Sequence, residues 1–282
     1  MSDAAIAGVT VQRTSNLINE NTRICNLNYA IPKSGKTTMA ATMHNWCLKE
    51  YNKPGLFVVF ESAEGGGTTS VRDFDVPYMQ PTDLKSTMAV LRALAGDTTY
   101  AAVFIDNLSD MVKNVVQPYA LSFPSREHVA TRSGGVPERS DYQTIAETTR
   151  QLLNLMIALT KGNPNFRKHL IVNALRGEKR NSQGDLEYVG PDLPGQLREV
   201  GPAPFELVSR IDIKNIVVPS ADNPKLNIRQ KQYKFITSGD GIQCAGDRYK
   251  IFPAEGPADW EILMEQYWKP VIEKTKLNKE NK

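Results

Sequence analysis

The chain has 282 residues, 40% of them hydrophobic and 23% charged, with a formal net charge of +3. This is the composition of a soluble globular protein with a substantial core, and a charge so near neutral confines any nucleic-acid contact to a local basic surface. No run reaches the ~18 apolar residues of a membrane helix, and Met1 to Ala5 lacks the basic and apolar regions of a signal peptide, so the chain reads as cytosolic.

Residues 1–20 are polar and weakly periodic and read as an N-terminal arm. Ile24 to Tyr29 is an apolar strand-like stretch, and Thr38 to Glu50 is helix-like. Between them lies Ala30-Ile31-Pro32-Lys33-Ser34-Gly35-Lys36-Thr37. A glycine-containing loop between a strand and a helix gathers backbone N–H groups and the positive helix terminus around phosphates. Lys36 would reach the β- and γ-phosphates, the Thr37 hydroxyl would ligate Mg²⁺, and residues 30–38, through Thr38, would form the cradle. Ala30 stands where such loops start with glycine, which predicts a slightly altered loop.

Leu56 to Phe60 reads as a buried strand, followed by Glu61, Glu64 and the triplet Gly65-Gly66-Gly67. Leu84, Met88, Leu91 and Ala95 recur at helical spacing, with Gly96 as the stop. Tyr100 to Ile105 forms the next strand and ends at Asp106. An acid at a strand end downstream of a phosphate loop suits a Mg²⁺ site, with a turn-capping role as the plainer alternative. Asn107 occupies the next position, so Glu64 or Glu61 is the candidate for orienting water, Glu64 being favoured by its glycines.

Residues 112–142 read as an irregular basic loop carrying Arg126, Arg132 and Arg139. Ile145 to Leu159 is an amphipathic helix capped by Ser140 or Asp141, and Leu170 to Leu175 is a further buried strand. Residues 176–204 read as a second irregular basic loop, with Arg176, Lys179 and Arg180. Leu207 to Val218, Ile228 to Thr237 and Ile242 to Phe252 read as antiparallel hairpin strands. Trp260 to Lys274 reads as a helix kinked at Pro270, ahead of a charged tail. Cys25, Cys47 and Cys244 are scattered and read as reduced thiols, and no histidine falls at metal-ligand spacing beside them. Alternating strands and helices predict an α/β fold with a mainly parallel central sheet flanked by helices, followed by antiparallel strands.

The phosphate loop, the acids after the second strand, Asp106, the segment Gly190 to Gln196, Phe205 to Val208 and Ala245 to Arg248 together resemble the phage-type RecA-like P-loop ATPases, a group that includes single-strand annealing and recombination proteins. The resemblance implies a RecA-like ATPase domain over 21–268, with a C-terminal tail over 269–282. It also implies ATP and Mg²⁺ as cofactors and a homo-oligomeric ring or filament with ATP at the subunit interfaces. Single-stranded DNA would lie along the two basic loops, in host cytoplasm if the chain is phage-encoded, with a single-strand-binding protein or replisome component as a further partner. Arg248 and Lys250 match the cation that such proteins offer across the interface to the γ-phosphate, and Arg176 is a local candidate for sensing that phosphate. A replication accessory ATPase, such as a helicase or helicase loader, and a nucleotide-binding module that does not hydrolyse are the competing readings.

Overall fold

The computed structural model describes residues 5–6, 9–10, 18–60, 68–123, 137–219 and 227–280. Two short strands, β1 (Ala5–Ile6) and β2 (Val9–Thr10), pair antiparallel near the N-terminus. Glu61, Glu64, Arg126 and Arg132 lie outside the described residues.

The frame is one large sheet. Its parallel strands are β3 (Cys25–Ala30), β4 (Gly55–Val59), β5 (Tyr78–Met79), β6 (Ala102–Asp106), β7 (His169–Arg180) and β9 (Leu207–Pro219). They lie side by side in the order β9-β3-β7-β6-β4-β5. Beyond β9 the sheet turns antiparallel through β10 (Asn227–Ile236) and β12 (Glu255–Pro257). β7 therefore stands between the strand that feeds the phosphate loop and the strand that ends in Asp106. The inner strands are buried at nearly every position, as expected when helices cover both faces.

On one face pack α1 (Lys36–Tyr51) and the C-terminal helix. On the other pack α2 (Leu84–Gly96), the helix over 108–121 and α5 (Arg139–Lys161). Asp83 and Ser86 close a reciprocal cap on α2, which fixes its start. Gly55 allows Phe104 of β6 to lie across β4: a Cβ there would come 2.4 Å from the ring. Phe235, Phe252, Trp260 and Trp268 form an aromatic cluster, and the Trp260 amide donates to Thr42 Oγ1 at 2.7 Å, tying the C-terminal helix to α1.

Five expectations from sequence need correction. Residues 112–121 are helical, running from α3 (Leu108–Met111) through a π-turn (Val112–Val116) into α4 (Gln117–Leu121). Pro118 sits in the first turn of α4, where its missing N–H follows the irregular turn. The cap of α5 is Glu138, and Asp141 is the third helical residue, its carboxylate accepting from the Glu138 amide at 2.9 Å. Residues 176–204 are largely ordered: β7 continues to Arg180 and pairs with β8 (Leu186–Pro191), and α6 (Leu197–Val200) follows.

The stretch 242–252 forms only the two-residue strand β11 (Gly246–Asp247), because carboxylates take up its amides. Asp247 accepts from Tyr249, Ile251 and Phe252, and Asp240 accepts from Ile242 and Gln243. The final segment 260–280 is helical throughout, with α7 (Trp260–Leu263), a π-turn (Met264–Trp268) just before Pro270, and α8 (Lys269–Glu280). The proline is thus accommodated by a widened turn rather than by a break.

His169 is fully buried; its Nδ1 accepts the Ile24 amide at 3.1 Å and its Nε2 meets the Tyr51 hydroxyl. Burial drives its pKa well below the ordinary histidine value. Below about pH 6.5 the unfolded chain takes up a proton that the folded imidazole refuses, so stability is expected to fall by about 1.4 kcal/mol per pH unit as pH drops. Urea midpoints between pH 7.5 and 5 check this, with a shallower slope expected for His169→Gln.

Candidate functional site

The phosphate loop sits at the carboxyl edge of the sheet, between β3 and α1. Ala30 is the buried last residue of β3 and pairs in register with Leu175. A residue held in a strand needs no glycine, so the Cβ of Ala30 is accommodated there without a left-handed backbone. The unusual backbone lies further on, at Lys33 (φ 61) and Gly35 (φ 86). Lys33, like Ile31 and Pro32, is exposed on the loop.

Gly35 is the N-cap of α1, no side chain caps that end, and the first turn holds no acid. The orphan N–H groups and the positive end of the helix macrodipole therefore face the cavity unopposed. Ser34 Oγ is buried there without a hydrogen-bond partner among the described residues. Lys36 is 7% exposed, and its ammonium donates to the carbonyl oxygens of Ile31 (2.9 Å) and Ala30 (3.2 Å). Desolvation lowers its pKa, and the negative charges of Asp106 and Asp110 act the other way.

Across β7, the Thr37 hydroxyl donates to Asp106 Oδ2 at 2.6 Å. Asp106 is buried at the end of β6, and its peptide bond to Asn107 is cis. Asn107 caps the helix that follows: its Oδ1 accepts the Asp110 amide at 2.8 Å, and its Nδ2 donates to Asp110 Oδ2 at 2.6 Å. Sequence reasoning gave Asp110 no role beyond favouring a turn after Asp106, yet it is a second carboxylate in the same cavity. Its signal was present in the spacing Asn107-x-x-Asp110, a helix-start pattern.

These groups line a cavity of 870 Å³, shared with Thr38, Ser70, Leu175, Tyr233 and Ala258. That volume is in the range of small-molecule and cofactor sites. Tyr233 of β10 was also missed by sequence reasoning. Its ring packs on Gly35, 3.2 Å from where a Cβ would stand, and forms an aromatic wall beside the loop. No local pattern marks it, because only the pairing of β9 with β3 brings β10 to the loop.

A donor set of loop amides, a free hydroxyl and one ammonium fits a polyphosphate. The carboxylate–hydroxyl pair Asp106–Thr37 fits Mg²⁺ shared with phosphate oxygens. Among the described residues no three His, Cys, Asp or Glu side chains gather into a metal cage.

The remaining candidates lie apart from the cavity. Arg248 and Lys250 follow β11, which pairs with the first residues of β9, at the opposite end of the sheet from the loop. Arg248 is 4.0 Å from Glu206, and Lys250 is exposed with φ 54. Neither reaches the cavity of its own subunit, so a contact with phosphate could come only from a neighbouring copy. Arg176 pairs with Glu178 at 2.8 Å, Arg180 with Glu178 at 3.1 Å, and Lys179 with Glu187 and Glu199 at 3.6 and 3.4 Å. The cations of this hairpin are thus largely offset by its own acids. Arg139 is exposed on the first turn of α5.

A phosphate loop, an acid on a strand one removed from it, and a mostly parallel sheet define a P-loop nucleotide-binding core of the ATPase type. Residues 22–249 match the family model described as an AAA domain, and the chain belongs to that family. No curated protein matches the chain. Among the described residues no helix is long and apolar enough to cross a membrane.

Proposed function

We propose that the protein is a Mg²⁺-dependent, oligomeric ATPase of the RecA-like, phage type that acts on single-stranded DNA in recombination or annealing. The observation that carries the nucleotide half is the 2.6 Å contact of Thr37 with Asp106 beside the buried Lys36 ammonium. In this reading the loop amides and Lys36 bind the phosphates, and Thr37 and Asp106 hold the metal through its ligand shell. Asp110, fixed by Asn107, stands ready to orient a water. Held by Thr37 and Asp106, Mg²⁺ would supply positive charge that offsets the negative charge developing during phosphoryl transfer.

The DNA half draws on the resemblance and on connectivity. Leu175 lines the cavity, and the same strand runs on without interruption into the β7–β8 hairpin, so a change at the phosphates has a rigid route to the surface. Arg248 and Lys250 belong to this proposal as cations offered to a neighbour's nucleotide.

Steady-state ATP turnover, with and without a single-stranded oligodeoxynucleotide, tests both halves. Mg²⁺-dependent turnover that the oligonucleotide raises several-fold is expected. Turnover indifferent to DNA would remove the DNA half and leave the ATPase, whereas nucleotide binding with no turnover would favour the non-hydrolysing module.

A further inference from the structure

Beyond Arg210, β9 leaves β3, and β10 pairs with β12 only from Lys234 onward. Residues 213–219 and 227–233 are therefore paired only with each other, as a two-stranded ribbon that projects from the carboxyl edge of the sheet. At about 3.3 Å per residue it extends roughly 20 Å. Its fourteen described residues include Lys214, Arg229 and Lys231 and no aspartate or glutamate. The ion pairs of the region end at its base, with Arg210 to Asp212 and Lys234 to Glu255.

Side chains on a strand alternate between faces, so Tyr233, Lys231 and Arg229 share one face, opposite Ile213, Asn215 and Val217 of β9. Tyr233 is the residue packed on Gly35 of the phosphate loop. A row of cations thus starts at the nucleotide cavity and runs outward, with Lys231 and Arg229 about 7 Å apart. Val217, 65% exposed and directly across from Arg229, adds an apolar contact.

We infer that this ribbon face is a contact surface for a single-stranded polynucleotide, its phosphates following Lys231 and Arg229. The inference rests on the DNA half of the proposed function and gives it a location that the ion-paired β7–β8 hairpin does not supply. A cationic surface with no acid among its described residues complements a polyanion, and flexible ammonium and guanidinium groups follow a backbone without reading sequence. The row begins at the tyrosine resting on Gly35, so the ribbon face adjoins the phosphate loop.

The test uses the full chain with a non-hydrolysable ATP analogue and fluorescein-labelled oligothymidylate, with binding read by anisotropy over a range of salt. Wild type is compared with Arg229→Glu/Lys231→Glu and with Lys214→Glu, which lies on the opposite face. The double variant is expected to bind at least about tenfold more weakly, with its log K against log salt slope reduced by about 1.4, the loss of two phosphate contacts. Lys214→Glu is expected to stay within about threefold of wild type. All three should bind a fluorescent ATP analogue equally, which establishes that the pocket and the fold are intact.

A double variant with wild-type affinity and slope overturns the ribbon assignment and leaves the DNA reading standing. Wild type that binds no oligonucleotide overturns both. Loss of binding together with a smaller particle by light scattering makes the ribbon a contact between copies of the chain, and overturns the assignment as well.

Discussion

Lys36→Ala is expected to weaken ATP binding by about 30- to 1,000-fold while leaving the apoprotein at least as stable as wild type. The first figure follows from the loss of a charge-assisted contact to the phosphates from a nearly buried ammonium, worth roughly 2–4 kcal/mol at about 1.4 kcal/mol per tenfold. The second follows from the same geometry. The ammonium is 7% exposed and donates to two loop carbonyls, and desolvation drives its pKa down against the support of the Asp106 and Asp110 charges. Burying that charge costs stability, and the methyl group of alanine removes the cost. Thermal unfolding separates the two effects. Excess Mg²⁺-ATP should raise the midpoint of wild type much more than that of the variant, with the two apoproteins within a few degrees. A variant that ATP still stabilises fully would show that the loop does not hold the triphosphate through Lys36.

What the sequence made legible follows the range over which each feature is encoded. The phosphate loop is contiguous, so residues 30–38 could be read directly, and Asp106 announced itself by ending an apolar run. The buried parallel strands were legible for the same reason: each is a short apolar run bounded by polar residues. The β7–β8 hairpin was not, because the outer half of β7, Arg176-Gly177-Glu178-Lys179-Arg180, is polar on both faces and carries no alternation. Residues 112–121 hid a helix behind three valines and Pro118, which argue against helix locally, while Val112, Val115, Val116 and Ala120 are in fact buried.

In 242–252 the apolar pattern of a strand was present, but Asp240 and Asp247 took the backbone amides that a ladder would have used. Tyr233 is the hardest case. Its place beside Gly35 depends on β10 pairing with β9 and β9 with β3, two non-local registers that no window of sequence contains.

Asp106→Asn separates binding from chemistry at this site. The amide oxygen of asparagine can still accept the Thr37 hydroxyl, so the 2.6 Å contact and the end of β6 are expected to persist. What disappears is a negative charge, and with it two electrostatic effects. One is the attraction that, in the proposed function, would hold Mg²⁺ beside Thr37; the other is the support Asp106 gives to the charged form of Lys36, against desolvation. The first matters most in the transition state, where charge builds on the transferred phosphoryl group and its partners.

Turnover is therefore expected to fall by about 100-fold or more, the size of effect seen when one preorganised electrostatic group is removed. Affinity for ATP should change by less than about tenfold, since the loop amides and Lys36 remain. Raising Mg²⁺ should recover part of the rate in the variant and little in wild type, because only the variant has lost a group that favours the cation. Single-turnover kinetics across a Mg²⁺ titration reads both quantities. Unchanged turnover at low Mg²⁺ would place the catalytic cation elsewhere, with Asp110, held 2.6 Å from the Asn107 amide, as the next carboxylate to substitute.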